Sequence, residues 1–201
     1  MLPGYFVIVA IVVNGVGSLG YLAGTLGGTT QPHRVTFFLW TLAGLIAFAA
    51  QLTEGVGAAA WFAFGGGAGA GAIFIASFFN PHGSWRISRF DVSCGALSLS
   101  GLGLWWATRD GELAILFSIA ADLLAATPTI IKAYRRPDTE NSFAYWACGA
   151  AGLITLLVLD QWRFADYAFA AYSFLACLGL AALITSRIGP RVAVGRSASC
   201  A

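Results

Sequence analysis

Seven apolar stretches, each close to the length a helix needs to cross a bilayer, take up nearly the whole chain. They run over about 4–26, 35–53, 58–79, 92–108, 113–133, 142–160 and 165–186. The hydrocarbon layer asks for roughly 20 mostly apolar residues per crossing, and the gaps between the stretches leave no room for a soluble domain. Composition closes the alternatives. Of 201 residues, 58% are hydrophobic and 10% charged, against about 25% charged in a soluble domain, and the mean hydropathy is +0.77. Disorder needs low hydrophobicity and high net charge. A net charge of +2 gives no broad basic surface for nucleic acid. The chain reads as an all-α integral membrane protein with seven transmembrane helices.

Lysine and arginine accumulate in the cytoplasmic loops of such proteins. The side on which the first span starts collects only Arg109 and Arg163. The other side takes Arg34, Arg86, Arg89, Lys132, Arg135, Arg136, Arg187, Arg191 and Arg196. The N-terminus is therefore expected outside and the C-terminus inside, with Glu54, Asp110, Glu112, Asp160 and Asp166 on the outer face. No basic residue precedes the first span, which reads against a cleaved signal peptide. The segment 187–201, with Gly189, Pro190 and Gly195, reads as a flexible cytoplasmic tail.

An internal repeat organises the spans. The segment from Asn14 to Leu52 lies on Asp122 to Asp160 without a gap, at an offset of 108 residues. This aligns Ala43-Gly44-Leu45-Ile46 with Ala151-Gly152-Leu153-Ile154, and Asn14 with Asp122. An offset of 106 instead pairs Trp40 with Trp146. The expected organisation is a first three-helix repeat with its following loop (1–91), a linker helix (92–112) and a second three-helix repeat (113–186). One linker crossing makes the halves parallel, related by an axis along the membrane normal.

The run from Thr127-Pro128-Thr129 through Lys132 to Asp138-Thr139-Glu140-Asn141-Ser142-Phe143 resembles the second motif of the PQ-loop superfamily, which includes the SWEET-like and cystinosin-like transporters. Gly20-Tyr21-Leu22 through Thr30-Gln31-Pro32-His33-Arg34 resembles a decayed first copy. The resemblance implies a 3+1+3 helix layout with an outside N-terminus and a transport function. The chain departs from the pattern in several places. The family's Pro-Gln pair is Pro128-Thr129 here and Gly20-Tyr21 in the first half, and spans two and six lack the family's prolines. Spans three and seven contain no asparagine, so the sugar-binding asparagines of SWEETs have no counterpart.

Asp122 carries the most functional information. A charged group at mid-bilayer costs about 2.5–3.5 kcal/mol on insertion scales, and its neighbours Ser118 to Ala126 are otherwise uncharged. Low dielectric favours the neutral form of a carboxyl, which makes Asp122 a candidate proton carrier. Asn14, its repeat partner, adds a second polar group at the depth where repeat-built transporters bind substrate. Trp40 and Trp146 are candidates for a stacking wall around the substrate, or for interfacial anchors. Gly20 and Pro128 are candidate hinges, since proline removes an amide donor from its helix. Gly65, Gly67, Gly69 and Gly71 form a small-residue run for close helix packing, without the lysine of a phosphate loop.

Cys94, Cys148 and Cys177 fall in three different spans and Cys200 in the tail, without Cys-x-x-Cys spacing. His33 and His82 lie in loops. No cofactor or metal site is expected. The lipid bilayer and a small polar solute are the expected partners, with a second copy or a membrane-complex partner left open. The reading is a transporter of a small polar solute working by alternating access, with proton coupling at Asp122. The alternative is a non-transporting subunit of a membrane complex built on the same scaffold. Arginine outnumbers lysine ten to one alongside abundant alanine and glycine, which suits a high-GC genome and a bacterial cytoplasmic membrane.

Overall fold

The computed structural model describes residues 2–80, 89–108 and 110–189, and no strand occurs among them. His82, Arg86, Arg109, Arg191, Arg196, Cys200 and the tail beyond Gly189 lie outside the described residues, as does the side chain of Cys94. Among the described residues seven α-helices follow one another: α1 Phe6–Leu26, α2 Arg34–Thr53, α3 Ala60–Ala76, α4 Arg89–Thr108, α5 Gly111–Arg135, α6 Ser142–Val158 and α7 Phe164–Ser186.

Their ends are set by local chemistry. Asp110 caps α5 by accepting from the amides of Glu112 and Leu113 at 3.0 and 3.2 Å, with Glu112 in the first turn and Lys132 and Arg135 in the last. That charge order complements the helix dipole. The His33 ring caps α2 by accepting from the Thr36 amide, and Asn141 caps α6 by accepting from that of Ala144. Gly55 takes a left-handed φ of 74° after α2, a conformation open to glycine. It lets the Val56 amide fold back onto the Gln51 carbonyl. At the start of α7, Arg163 pairs with Asp166 at 2.8 Å. That hydrogen bond and charge push the guanidinium further above its ordinary value.

Among the described residues, five helices are long and apolar enough to cross a membrane: α1, α2, α3 with its short extension to Phe79, α5 and α7. The two other expected spans differ. α6 is apolar but 17 residues long, because the backbone turns extended at Leu159 instead of continuing to Asp160. α4 begins on Arg89, and Asp91, three serines and three glycines dilute its apolar character. The surface is what lipid requires. Ile8, Val12, Leu19, Leu123 and Leu175 are exposed, while the interior is rich in alanine, threonine and glycine. Small residues inside and large apolar ones outside are the pattern of helices packed in a bilayer, and the chain is accordingly a multi-pass membrane protein.

The helices pack as a closed ring. α3 lies between α1 and α2, and α7 between α5 and α6; α1 then meets α6, and α2 meets α5. α4 stands outside the ring against α5 and α2. At one end the Leu2 amide reaches the Leu157 carbonyl, and Glu54 accepts from the Gly111 amide at 2.9 Å. At the other, the Gln31 amide bonds the Thr139 carbonyl at 3.1 Å. α1 and α5 therefore run in the same direction through the bundle.

The glycines explain how thin the contacts are. A Cβ on Gly44 of α2 would stand 2.8 Å from the backbone of Gly67 in α3. Gly152 of α6 has the same relation to α7, with Ala170 and Phe174 backbone atoms at 3.1 and 3.2 Å. Of the α3 glycines, Gly67 and Gly71 face α2, whereas Gly65 and Gly69 face Asn14 and Ser18 of α1. A helix wedged between two others needs small residues on both faces, and α3 has them.

Candidate functional site

A cavity of about 120 Å³ lies inside the ring, and every ring helix contributes to its wall. An apolar cavity of about 150 Å³ accommodates benzene, so this one takes a solute of about that size or smaller. Asn14 and Ser18 come from α1, Trp40 from α2, Phe62 from α3, Asp122 from α5, Tyr145 and Cys148 from α6, and Tyr172 and Ser173 from α7. Asp122 is the one charged side chain among the described residues that line it. α3 and α7 present matching positions at an offset of 107 residues, with Phe62 and Phe169, Gly66 and Ser173, Ala70 and Cys177, and Ile73 and Leu180 all in the wall.

Asp122 is held from two sides. The Tyr172 hydroxyl of α7 donates to its Oδ2 at 2.7 Å, and the Trp40 indole of α2 donates to its backbone carbonyl at 3.2 Å. The side chain keeps the acceptor capacity of a carboxylate that one hydroxyl does not fill. Asn14 is 4% exposed, and its Nδ2 has no hydrogen-bond partner among the described residues. The nearest atom a side chain at Gly65 would meet is that same Nδ2, 3.6 Å from the position of a Cβ. A buried unmet donor costs about 1–3 kcal/mol, so its natural use is an acceptor that enters the cavity.

One end of the cavity is closed by charge. Lys132 in the last turn of α5 pairs with Glu140 at 2.7 Å, and the glutamate side chain is fully buried. Tyr21 of α1 and Tyr145 of α6, whose rings line the cavity, donate their hydroxyls to Glu140 Oε2 at 2.9 and 3.2 Å. Lys132 also donates to the Gln31 carbonyl. Glu140 thus ties α1, α5 and α6 together, its oxygens satisfied by three donors. The opposite end is closed by alanines, among them Ala10, Ala47, Ala50, Ala114, Ala151 and Ala165, all buried. Gln51 Nε2 crosses that end to the Ala165 carbonyl at 3.0 Å.

Among the residues singled out from sequence, Asn14, Asp122 and Trp40 share the cavity wall. Trp146 does not. It is 43% exposed on the outer face of α6, because one residue past Tyr145 turns a helix about 100° away from the interior. Its place in the wall is taken by Tyr145 and Cys148, which the 108-residue offset pairs with Phe37 and Trp40. Gly20 packs against the Phe143 ring, 3.4 Å from where its Cβ would be, so it serves the α1–α6 contact. α5 runs unbroken through Pro128. Tyr172 and Glu140 were not singled out as site residues. Tyr172 has a signal only once α3 and α7 are aligned, where it falls on Gly65.

Comparisons with protein-family models, with curated proteins and with solved structures gave no match.

Proposed function

We propose that the chain is a transporter that carries a small polar solute across a membrane by alternating access, coupled to protons at Asp122. On this reading the architecture is seven spans, two parallel three-helix repeats joined by α4, with the N-terminus outside and the C-terminus in the cytoplasm of a bacterial cell. The PQ-loop resemblance of the Pro128–Phe143 segment agrees with it. The observation that carries the reading is a cavity between two three-helix units whose wall holds, among the described residues, a single carboxyl.

The chemistry follows from the two ends. The Lys132–Glu140 pair with its two tyrosines closes the basic, cytoplasmic end, and the alanine layer closes the outer end. Parting the outer end breaks dispersion contacts of about 0.1–0.2 kcal/mol per atom pair and the neutral Gln51–Ala165 hydrogen bond, against a buried ion pair at the other, so the outer end is the easier one to open. Asp122 takes a proton when its face of the cavity meets water and releases it after the halves rock. Solute-dependent proton flux in vesicles of purified protein, read by a trapped pH-sensitive dye under a solute panel, tests this. Asp122→Asn should abolish the flux, and an unchanged flux in that variant would falsify the coupling role.

The second reading, a non-transporting subunit, is favoured by the absence of proline from α2 and α6. Stoichiometric co-purification of another membrane protein after mild extraction would support it.

A further inference from the structure

The cavity wall specifies the charge of its solute. Asp122 is the one charged residue among the described residues in that wall, with no lysine, arginine or histidine beside it. Seven aromatic rings surround the same space. Aromatic faces attract organic cations, by about 0.5–1 kcal/mol at exposed sites and about 2 or more where water is excluded. A carboxylate with unused acceptor sites inside an aromatic enclosure selects a cation over a neutral solute and repels an anion. The unmet Nδ2 of Asn14, buried in the wall contributed by the other half, asks for one hydrogen-bond acceptor on the same molecule.

We propose that the solute is a small organic ammonium that carries a hydroxyl or carbonyl oxygen, its nitrogen at Asp122 and its oxygen at Asn14. The inference rests on the reading of this cavity as a transport site and adds its substrate class. The volume of about 120 Å³ limits the molecule to a few heavy atoms and excludes a hexose. Tyr172 holds Asp122 Oδ2 from one side, leaving Oδ1 for the ammonium. Trp40, Phe62 and Phe169 supply ring faces around it.

Three probes of nearly equal size separate the possibilities: 2-aminoethanol, its neutral isostere propan-1-ol, and the anion glycolate. Calorimetric titration of the full chain in lipid nanodiscs measures each. The wild-type protein should bind 2-aminoethanol at least tenfold more tightly than propan-1-ol, and glycolate should not bind. Asn14→Leu, close in volume, should weaken 2-aminoethanol about tenfold and propan-1-ol by a like factor, since both carry the hydroxyl, so that the preference for the amine over its isostere persists. Equal binding of amine and isostere, preference for glycolate, or no binding of any probe overturns the ammonium assignment. The wild-type comparison needs no variant to fold. If another solute in the panel evokes Asp122-dependent proton flux while 2-aminoethanol does not bind, the transport reading stands and this inference alone fails.

Discussion

Where α1 meets α3, Asn14 faces a glycine; where α5 meets α7, Asp122 faces a tyrosine. Gly65 and Tyr172 occupy matching positions in the two third helices, and that exchange changes everything about the polar group opposite. The Tyr172 hydroxyl binds Asp122 at 2.7 Å, whereas the Asn14 Nδ2 finds no acceptor among the described residues. The same contrast recurs at the end closed by Lys132 and Glu140. The second half supplies Lys132, Glu140 and Tyr145 to a buried ion cluster. The corresponding positions of the first half hold Gly24, Pro32 and Phe37. The first half is a frame with an unused donor, and the second carries the charges. On the proposed reading, a two-fold scaffold thereby makes a site with two unlike ends, which is what an asymmetric solute needs.

The strongest way to break this comparison is at the cluster. Glu140→Gln leaves Lys132 buried beside a neutral amide, and breaking a buried pair costs about 3–5 kcal/mol. The midpoint of thermal unfolding in detergent should fall markedly. Lys132→Met in the same chain should recover part of the loss, since removing both charges leaves neither unpaired. A Glu140→Gln protein as stable as the parent would mean that the cluster does not hold the halves.

A smaller effect separates the two halves at their glycine contacts. Gly44→Ala drives a methyl to 2.8 Å from the Gly67 backbone, whereas Gly152→Ala meets backbone atoms at 3.1 Å and beyond. Overpacking costs about 1–3 kcal/mol, so both should destabilise, Gly44→Ala more. Equal thermal shifts would erase that difference between the halves. The smallest change sharpens the contrast at the cavity. Gly65→Ser offers Asn14 the hydroxyl that its side lacks, and one hydrogen bond is worth about 1 kcal/mol. Stability should rise by about that much while 2-aminoethanol binding weakens; a gain in affinity would place the solute's oxygen elsewhere.

Much of the framework is readable from residues alone. Apolar run length locates the helices, and the isolation of Asp122 among uncharged neighbours marks it without any structure. The Ala43–Ile46 and Ala151–Ile154 match marks the two glycines at which the third helix of each half comes closest. The rest depends on contacts between helices. Glu140 reads as a solvated loop residue until α1 and α6 bring Tyr21 and Tyr145 onto it. Trp146 reads from its depth as either a wall residue or an interfacial anchor, and a rotation of about 100° between neighbouring helix positions sends it out of the wall. Gly20 looks flexible because glycine is permissive, yet Phe143 fills the space beside it. Tyr172 is one of several aromatics in α7 until Asp122 is found opposite.

Among the described residues, Asp122 stands alone as a charge in the cavity wall. A single negative group holds one proton or one ammonium at a time, and with either aboard the site is electrically neutral. A proton–amine exchanger built on it moves no net charge across the bilayer when the loaded halves rock. Membrane voltage is worth about 2.3 kcal/mol per charge per 100 mV, and none of that reaches a neutral cycle. Accumulation would then follow the pH difference alone and continue in a cell whose voltage has collapsed.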